Sequence, residues 1–499
     1  MFLAIFFFAI ILGLLIYLDS KKPNNFPPGP KWLPIFGSAL TVFRLRKRNK
    51  YLYLGTAELS NKYGPVVGLK VGIEKIVVAY GLHAIREMML SNDMVGRPTG
   101  PFYELRTFGL RRGVLLTDEE LWYEQRKFVV RHLREFGFGR RSMSAMIEDE
   151  AKTMILHFKK QMEKGQNSAV IEMDKMCGVH ILNTLWMMLA GTRYSPEDFE
   201  LNEVQRILTD LFKNIDMVGA LFSQFPLLRF IAPDFSGYNL YMKSHRPLWK
   251  FVIDEVEKHK KTFVDGCARD LIDVYLQMLN SENRPDTYTE QQLLALCIDL
   301  FMAGSETTTK SFGFGFMYLL LNPDVQRKAQ AEIDAVVGRH RLPTMQDRPN
   351  MPYLEGVVLE SIRMFMGRGF GVPHRALKDT YLQGYFVPKD TMVVPNFHGI
   401  LNGDEFGWND PQAFRPDRYI IDGKMMNLPE NYIPFGLGKR RCMGETLAKG
   451  NLFIFMAALL QHFDFAIPHG SEPTIVETDF LDGVTPGPKP YKALITLRS

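Results

Sequence analysis

Hydrophobic residues follow three patterns along the chain, and each pattern predicts a different kind of element. Residues 1–18 form one uncharged apolar run, MFLAIFFFAIILGLLIYL. From about Thr117 onward, long stretches have apolar residues at helical spacing. Short β-branched or alternating stretches predict strands at Val66–Val71, Ile76–Tyr80, around Thr380–Val394 and at Tyr491–Leu497. The pattern therefore predicts a mainly α fold with small β-sheets at its edges.

One helical segment is longer and more apolar than the others. The string Thr289-Glu-Gln-Gln292 fits a capping box, which satisfies free backbone N–H groups at the start of a helix. The apolar pattern then continues to Asn322, where Pro323 ends it. A helix of this length spans roughly 50 Å. Because charged residues interrupt the run, we expect it to cross the middle of the protein rather than a membrane.

The N-terminal run predicts a membrane anchor helix over residues 1–20. Its length of about 27 Å is close to the thickness of a bilayer core. It lacks the basic start and small-residue cleavage site of a signal peptide. Lys21 and Lys22 follow directly, and this basic side predicts that the rest of the chain lies in the cytosol. Residues 21–37 form a basic, proline-rich arm, and residues 38–499 form one domain without an internal linker.

Composition and charge exclude several other classes of protein. With 60 Lys and Arg against 55 Asp and Glu, the net charge of +5 is small and interleaved, so nucleic acid is not an expected partner. Four scattered cysteines without a C-x-x-C pair exclude a disulfide scaffold. The chain also lacks the glycine-rich dinucleotide motif, the phosphate loop, H-E-x-x-H and G-x-S-x-G. Because the cysteines form no C-x-x-C pair, any functionally important cysteine acts alone.

The strongest motif is Pro434-Phe-Gly-Leu-Gly-Lys-Arg-Arg-Cys-Met-Gly-Glu445. It resembles the haem-binding signature of the cytochrome P-450 family, F-x-x-G-x-R-x-C-x-G, at Phe435, Gly438, Arg440, Cys442 and Gly444. Glycines let the backbone approach a porphyrin and donate N–H groups to sulfur. Nearby cations favour a thiolate and can bind haem propionates. The resemblance implies haem b, with Cys442 as the axial ligand of its iron. A buried structural cysteine is the alternative.

Other motifs in the same order resemble this family over nearly the whole chain. Ala303-Gly-Ser-Glu-Thr-Thr308 resembles the oxygen-activation motif, which implies that Thr307 and Glu306 help deliver protons during catalysis. Trp122 and Arg126 share a helical face, and by resemblance they bind a haem propionate together with His374.

A further family motif, E-x-x-R, matches Glu360 and Arg363, with Arg418 as the usual third member. This triad is structural in the family. Together the motifs imply the cytochrome P-450 fold, a single large haem domain behind an anchor. The strings at residues 26–30 and 131–139 look most like the insect branch near juvenile-hormone-related members.

The resemblance implies a haem-thiolate monooxygenase in the endoplasmic reticulum membrane, of the microsomal type. Since the chain has no dinucleotide site, NADPH would be used indirectly, through NADPH–cytochrome P-450 reductase, with cytochrome b5 as a second partner. A basic docking face is predicted at Lys127, Arg131, Arg134 and Lys439.

By family analogy, the substrate pocket includes Phe301, Ala303, Arg368, Phe370, Val372 and Val484. Its apolar members predict a lipophilic small molecule, so that hydroxylation or epoxidation of a terpenoid, juvenoid or fatty-acid-like substrate is expected. If Arg368 points inward, it binds a carboxylate, which favours a fatty acid or an aromatic amino acid. A propionate contact or an outward-facing side chain are the alternatives.

Two other reactions and one non-catalytic role remain open. The same chemistry N-hydroxylates aromatic amino acids to aldoximes. A non-oxygenase branch of the family isomerises peroxides, but its members tend to lose the threonine that is present here as Thr307. A haem sensor would need a second protein ligand, and residues 303–308 contain no histidine or methionine.

Overall fold

The computed structural model describes residues 2–163, 167–173, 177–403, 407–470 and 479–498. Met1 and Ser499, the ends of the predicted anchor and domain, lie outside the described residues. The helices are α1 (Phe2–Ser20), α2 (Ala39–Asn49), α3 (Leu52–Tyr63), α4 (Leu82–Leu90), α5 (Pro101–Leu105), α6 (Glu119–Glu135), α7 (Arg141–Met162), α8 (Gly178–Ala190), α9 (Phe199–Asn214), α10 (Leu221–Gln224), α11 (Leu228–Ile231), α12 (Tyr238–Thr262), α13 (Leu271–Asn280), α14 (Glu290–Leu321), α15 (Pro323–Val336), α16 (Pro352–Met366), α17 (Phe397–Asn402) and α18 (Glu445–His462). The strands are β1 (Val66–Val71), β2 (Glu74–Tyr80), β3 (Ser168–Glu172), β4 (His374–Arg375), β5 (Thr380–Leu382), β6 (Tyr385–Val387), β7 (Met392–Asn396), β8 (Ile420–Ile421), β9 (Lys424–Met425), β10 (Phe463–Ala466), β11 (Phe480–Leu481), β12 (Gly487–Pro488) and β13 (Lys492–Leu497).

The strands form small sheets around a helical body, as the sequence predicts. The largest described sheet has the order β1-β2-β7-β4, in which β1 and β2 form an antiparallel hairpin and β7 runs parallel to β2. A second sheet has the order β10-β13-β3. The predicted strands at residues 66–71, 76–80 and 491–497 and the β region at 380–394 are confirmed.

Helix α14 is the central helix predicted from the sequence. It is buried along most of its length and packs against α8, α12, α16 and α18. Thr289 caps it by accepting a hydrogen bond from the backbone N–H of Gln292 at 3.1 Å. The other half of the predicted capping box is not observed. The Gln292 side chain instead binds the N–H and C=O of Gly113, at 2.9 and 3.0 Å, because that loop packs across the helix.

A buried ion pair holds the same loop region to α14. Asp299 contacts the Arg106 guanidinium at 2.5 Å, and both side chains are almost fully buried. The second carboxylate oxygen of Asp299 accepts the backbone N–H groups of Val114 and Leu115. A buried charge is tolerated only when it is fully hydrogen-bonded, so this carboxylate fixes the loop that leads into α6.

The proline-rich arm packs on the body instead of extending as a linker. Phe26 is buried and stacks edge-on against Trp32, with ring centroids 5.4 Å apart. A side chain at Gly29 would collide with the backbone of Gly68 in β1. The arm is therefore held at close range against the first sheet.

The N-terminal helix α1 carries exposed apolar side chains, including Leu14, Leu15 and Leu18. In the part of the chain that the structure describes, no helix combines the length and hydropathy needed to cross a bilayer.

The buried Arg106–Asp299 pair allows a prediction about the stability of the protein. Asp299→Asn leaves the Arg106 charge buried without its carboxylate, so we expect the free energy of unfolding to fall by about 3 to 5 kcal/mol. Urea denaturation followed by circular dichroism measures this change. The control is Asp254→Asn, which removes the carboxylate of the exposed pair Lys250–Asp254 and is expected to match wild type. An equal loss in both variants would show that burial of the pair does not matter.

Candidate functional site

The Cys442 loop lies between a 3-10 turn, Gly438–Arg440, and the start of α18. The Cys442 N–H donates to the Phe435 carbonyl at 2.9 Å, which closes the loop. Gly438 has a φ of +65°, and a Cβ there would lie 2.5 Å from the Met89 carbonyl oxygen. Only glycine fits this position, because the loop backbone rests directly on the end of α4.

The Cys442 thiol is surrounded by groups with opposing effects on its charge. Burial raises its pKa, while the backbone N–H groups of Gly444 and Glu445 and the Arg126 charge lower it. The Glu445 carboxylate also raises the pKa of the Cys442 thiol, which as a result lies above its ordinary value. The thiol also borders a cavity of about 380 Å³, lined in part by Arg441 and Lys449. The backbone N–H groups and the Arg126 charge therefore act on the thiol in the direction that the sequence predicts, and burial opposes them.

Next to this loop lie three arginines, Arg97, Arg126 and Arg440, with the imidazole of His374 beside them; these four residues are called the cationic cluster. Arg97 and His374 are buried, and Arg126 and Arg440 are half-buried. The Arg440 guanidinium stacks 3.9 Å from the centroid of the Trp122 ring, and Arg126 lies 5.7 Å from the same ring. Arg126 also donates to the Arg441 carbonyl at 3.0 Å. These contacts join α6 to the Cys442 loop, so the structure brings Trp122, Arg126 and Arg440 together.

Arg97 belongs to this cluster, although sequence reasoning did not identify it. Its guanidinium donates to the Leu115 carbonyl at 3.1 Å and to the Pro373 carbonyl at 2.7 Å. The neighbouring His374 is buried, and its Nδ1 lies 2.7 Å from the Met94 carbonyl oxygen. No motif marks Arg97, because its partners come from distant parts of the chain.

The cluster holds more positive charge than its neighbours neutralise. Burial lowers the pKa of Arg97 to about 9 and that of Arg440 to about 8, and in each case nearby arginines add to the effect. The nearby carboxylate of Asp118 is already bound by Arg111 and Arg375 at 2.8 Å. Burial and the Arg97 charge also hold the pKa of His374 well below its ordinary value.

One donor in the cluster is buried without a partner among the described residues, namely Nη1 of Arg440. Its other guanidinium nitrogens donate to the Val95 and Thr117 carbonyls, both at 2.8 Å. A buried N–H without an acceptor is costly, and clustered arginines attract carboxylates. The residues present therefore fit a cofactor that brings two carboxylates next to a cysteine, as the propionates of haem do.

The predicted oxygen motif lies in the middle of α14. The Thr307 hydroxyl donates to the Ala303 carbonyl at 2.7 Å, a bond typical of threonine within a helix. Glu306 is buried and turned towards α9, where it accepts from the Thr209 hydroxyl, and Lys310 lies 3.8 Å away. A Cβ at Gly304 would lie 2.4 Å from a Leu185 methyl carbon. Gly304 thus makes room for α8.

The six predicted pocket residues fall into two groups. Four apolar side chains are half-buried: Ala303, Phe370, Val372 and Val484. Phe301 instead is fully buried, with ring centroids 5.6 and 5.3 Å from Trp186 and Phe251. It lies on the face of α14 that packs against α8 and α12, which differs from its expected place in the pocket.

Arg368 is buried and does not face outward. It donates to the Tyr318 hydroxyl at 2.7 Å and to the Met364 carbonyl, and its guanidinium lies 5.2 Å from the Phe314 ring. These contacts with α14 and α16 account for its burial and leave fewer donors for a carboxylate. The outward-facing alternative is therefore wrong.

The predicted structural triad is assembled around Glu360. Arg363 binds both of its carboxylate oxygens at 2.8 Å, and Arg418 binds one at 2.9 Å. Burial acts to raise the pKa of Glu360, but hydrogen bonds and charges from the two arginines outweigh it and lower the pKa. The triad ties α16 to the segment that precedes the Cys442 loop.

Comparison with known proteins agrees with this geometry. A family model described as Cytochrome P450 matches residues 27–495. The chain is 47% identical to probable cytochrome P450 303a1 of Drosophila melanogaster, over 99% of both chains. It is 35% identical to farnesoate epoxidase of Bombyx mori, over 97% of both chains, and 31% identical to cytochrome P450 2J1 of Oryctolagus cuniculus, over 95% of this chain and 92% of the relative. The predicted family resemblance, including its insect affinity, is confirmed.

The open donor of Arg440 yields a prediction on cofactor retention. Arg440→Gln removes a charge-assisted contact to a carboxylate, so we expect haem to leave the holoprotein about ten to a hundred times faster. Transfer of haem to excess apomyoglobin measures the rate. Arg441→Gln is the matched control, because this neighbouring arginine is exposed and binds Glu445 through its side chain. Equal haem loss in the two variants would contradict the assignment of Arg440.

Proposed function

The chain belongs to the cytochrome P450 family of monooxygenases, and on that premise we propose that it oxidises a lipophilic terpenoid-like molecule with electrons from an NADPH-dependent reductase. The observation that carries this proposal is the pairing of the Cys442 loop with the cationic cluster. The Cys442 thiol, close to arginines that the protein neutralises only in part, suits a haem with its two propionates. Family membership implies the haem itself.

The residues that would hold the cofactor lie on both sides of the loop. Cys442 would bind the haem iron through its sulfur, and five residues would bind the propionates: Arg97, Arg126, Arg440, Trp122 and His374. When bound through a thiolate, haem supplies the activation of dioxygen that transfers one oxygen atom to substrate. The chain itself binds the substrate, excludes water and delivers protons.

Proton delivery is assigned to Thr307 and Glu306. The Thr307 Oγ1 lies on the half-buried face of α14 next to Ala303, where it can hold a proton for the reaction. Glu306 is one residue away, but its carboxylate is bound by Thr209. We expect Thr307 to act directly and Glu306 to supply protons to it after this contact opens.

The substrate class rests on the pocket and on one relative. The half-buried pocket side chains are apolar, which favours a lipophilic body. Farnesoate epoxidase, the relative from Bombyx mori, acts by its name on a terpenoid acid. Arg368, which would favour a fatty acid or an aromatic amino acid, is engaged by Tyr318 and Met364. Epoxidation or hydroxylation of a terpenoid or juvenoid is therefore favoured over aldoxime formation.

Electron supply and membrane attachment complete the proposal. The side chains of the predicted docking face are all exposed and suit a reductase with an acidic surface, with cytochrome b5 as a second donor: Lys127, Arg131, Arg134 and Lys439. The exposed apolar side chains of α1 and the lysines after it favour attachment to the endoplasmic reticulum membrane, with the catalytic body in the cytosol.

A product screen tests the reaction. The full-length holoenzyme, reconstituted in vesicles with reductase and NADPH, is expected to add one oxygen atom to a terpenoid acid or ester and to leave aromatic amino acids unchanged. Mass spectrometry in ¹⁸O₂ identifies the inserted atom. The red-shifted band of the ferrous carbon monoxide complex verifies the thiolate, and Cys442→Ala should lack it.

Product formed without NADPH would support the isomerase alternative instead. An aldoxime product from an aromatic amino acid would overturn the substrate class but not the monooxygenase assignment.

A second experiment separates Thr307 from its helical neighbours. Thr307→Ala is expected to reduce the share of NADPH electrons that reach product about a hundredfold, because a positioned proton donor is lost. Thr309→Ala is the matched control, since Thr309 makes the same helical bond, to the Ser305 carbonyl at 2.7 Å. NADPH consumption, hydrogen peroxide and product are measured together. Unchanged coupling in Thr307→Ala would contradict its role.

A further inference from the structure

A basic cavity lies where α1 meets the catalytic body, far along the chain from the haem-site motifs. Its volume is about 520 Å³, and its lining includes four lysines, Lys21, Lys22, Lys70 and Lys75, together with Asp19. Two of these lysines follow α1 directly, and the other two come from β1 and β2. The cavity thus exists only because the arm folds back on the first sheet.

Two of the lysines are held in place by the fold. Lys70 is buried in β1, donates to the Asp19 carbonyl at 2.7 Å and contacts its carboxylate. Lys22 donates to the Gly29 carbonyl at 2.9 Å. Both ammonium groups lie within 6 Å of the Trp32 ring centroid, at 5.9 Å for Lys22 and 5.8 Å for Lys70. Burial lowers the pKa of Lys22, as expected for a cation that lacks a carboxylate partner.

The cavity has more positive charge than its own carboxylate can neutralise. Asp19 is already bound by Lys70 and by the backbone N–H of Ile35 at 2.7 Å. Lys21 and Lys75 are exposed, and neither side chain has a carboxylate partner among the described residues. Four ammonium groups around one committed carboxylate are a strong attraction for an anion with several oxygens.

The rim of the cavity is apolar on one side. Leu18 and Ile73 line it, with Ile73 66% exposed, and Leu14 and Leu15 lie exposed on the adjoining turns of α1. An anion that fits both features carries its charge at the end of a hydrocarbon chain. A free phosphate would use the lysines but not the apolar rim.

We propose that this cavity binds the phosphate of an anionic membrane phospholipid, whose acyl chains lie along α1. Lysines bind phosphate as point charges and, unlike arginines, do not depend on a fixed bidentate geometry. Because Lys70 holds the end of α1 to β1, one headgroup would contact the helix and the catalytic body together and so set the tilt of the body on the membrane. The proposal rests on the membrane attachment proposed above and is independent of the catalytic reaction.

The test measures which lipids stay with the protein. Full-length holoenzyme is reconstituted into phosphatidylcholine nanodiscs that contain one-tenth phosphatidic acid, and lipids that remain after mild detergent extraction are counted by mass spectrometry. We expect phosphatidic acid to be enriched about tenfold over the bulk lipid. Lys75→Gln should reduce the enrichment about fivefold, and Lys21→Gln with Lys75→Gln should abolish it.

Lys62→Gln is the matched control. Lys62 is also exposed near the N-terminal end of the body and lies 5.2 Å from the Tyr63 ring centroid, but it does not line the cavity. Lys62→Gln removes the same charge and should retain the enrichment of phosphatidic acid. The carbon monoxide band verifies that all variants fold and hold haem.

Three outcomes would overturn the proposal. Equal loss of enrichment in the Lys62 and Lys75 variants would mean general attraction to charge. Displacement of phosphatidic acid by inorganic phosphate, at an ionic strength matched with sodium chloride, would make free phosphate the ligand. Failure of the wild-type protein to enter nanodiscs at all would overturn membrane attachment together with the lipid site.

Discussion

The buried carboxylate of Glu360 is the charge around which the thiol side of the molecule is organised. Its transfer from water costs several kcal/mol, which only a complete set of hydrogen bonds offsets. Besides Arg363 and Arg418, it accepts from the Tyr419 hydroxyl at 2.8 Å and from a backbone N–H. Arg363 in turn donates to the carbonyls of Leu401 and Pro411. Satisfying one charge therefore brings α16, α17 and the segment before the Cys442 loop together.

The charges of the neighbouring cationic cluster, in contrast, are not fully neutralised by the protein. Around Glu360 every charge has its partner, whereas the buried Arg97 and the half-buried Arg440 have pKa values well below those of ordinary arginines. The donors of Arg97 and Arg440 reach backbone carbonyls, but neither side chain has a carboxylate partner of its own among the described residues. The contrast distinguishes an ion network that is fully neutralised from one that is neutralised only in part, although arginines form both.

Much of this site could be predicted because its motifs are local. Thr307, Glu360 with Arg363, and the loop from Phe435 to Gly444 each act through spacings of a few residues, which the sequence displays directly. The central helix was predictable for the same reason, since its cap and its terminating proline lie in the chain itself. Arg97 was not, because its partners are carbonyls at residues 115 and 373.

The direction in which a side chain points separates the features that could be predicted from sequence from those that required the structure. The helices, the strands and the family could be read from the sequence alone, since each depends on periodicity or on a short motif. The three-dimensional packing was needed to show that Phe301 packs against α8 and α12, that Gln292 reaches Gly113 and that Arg368 binds Tyr318. The physical reason is that a helix presents all of its faces in sequence, and only the packing of neighbouring elements selects which face meets the site and which meets the core.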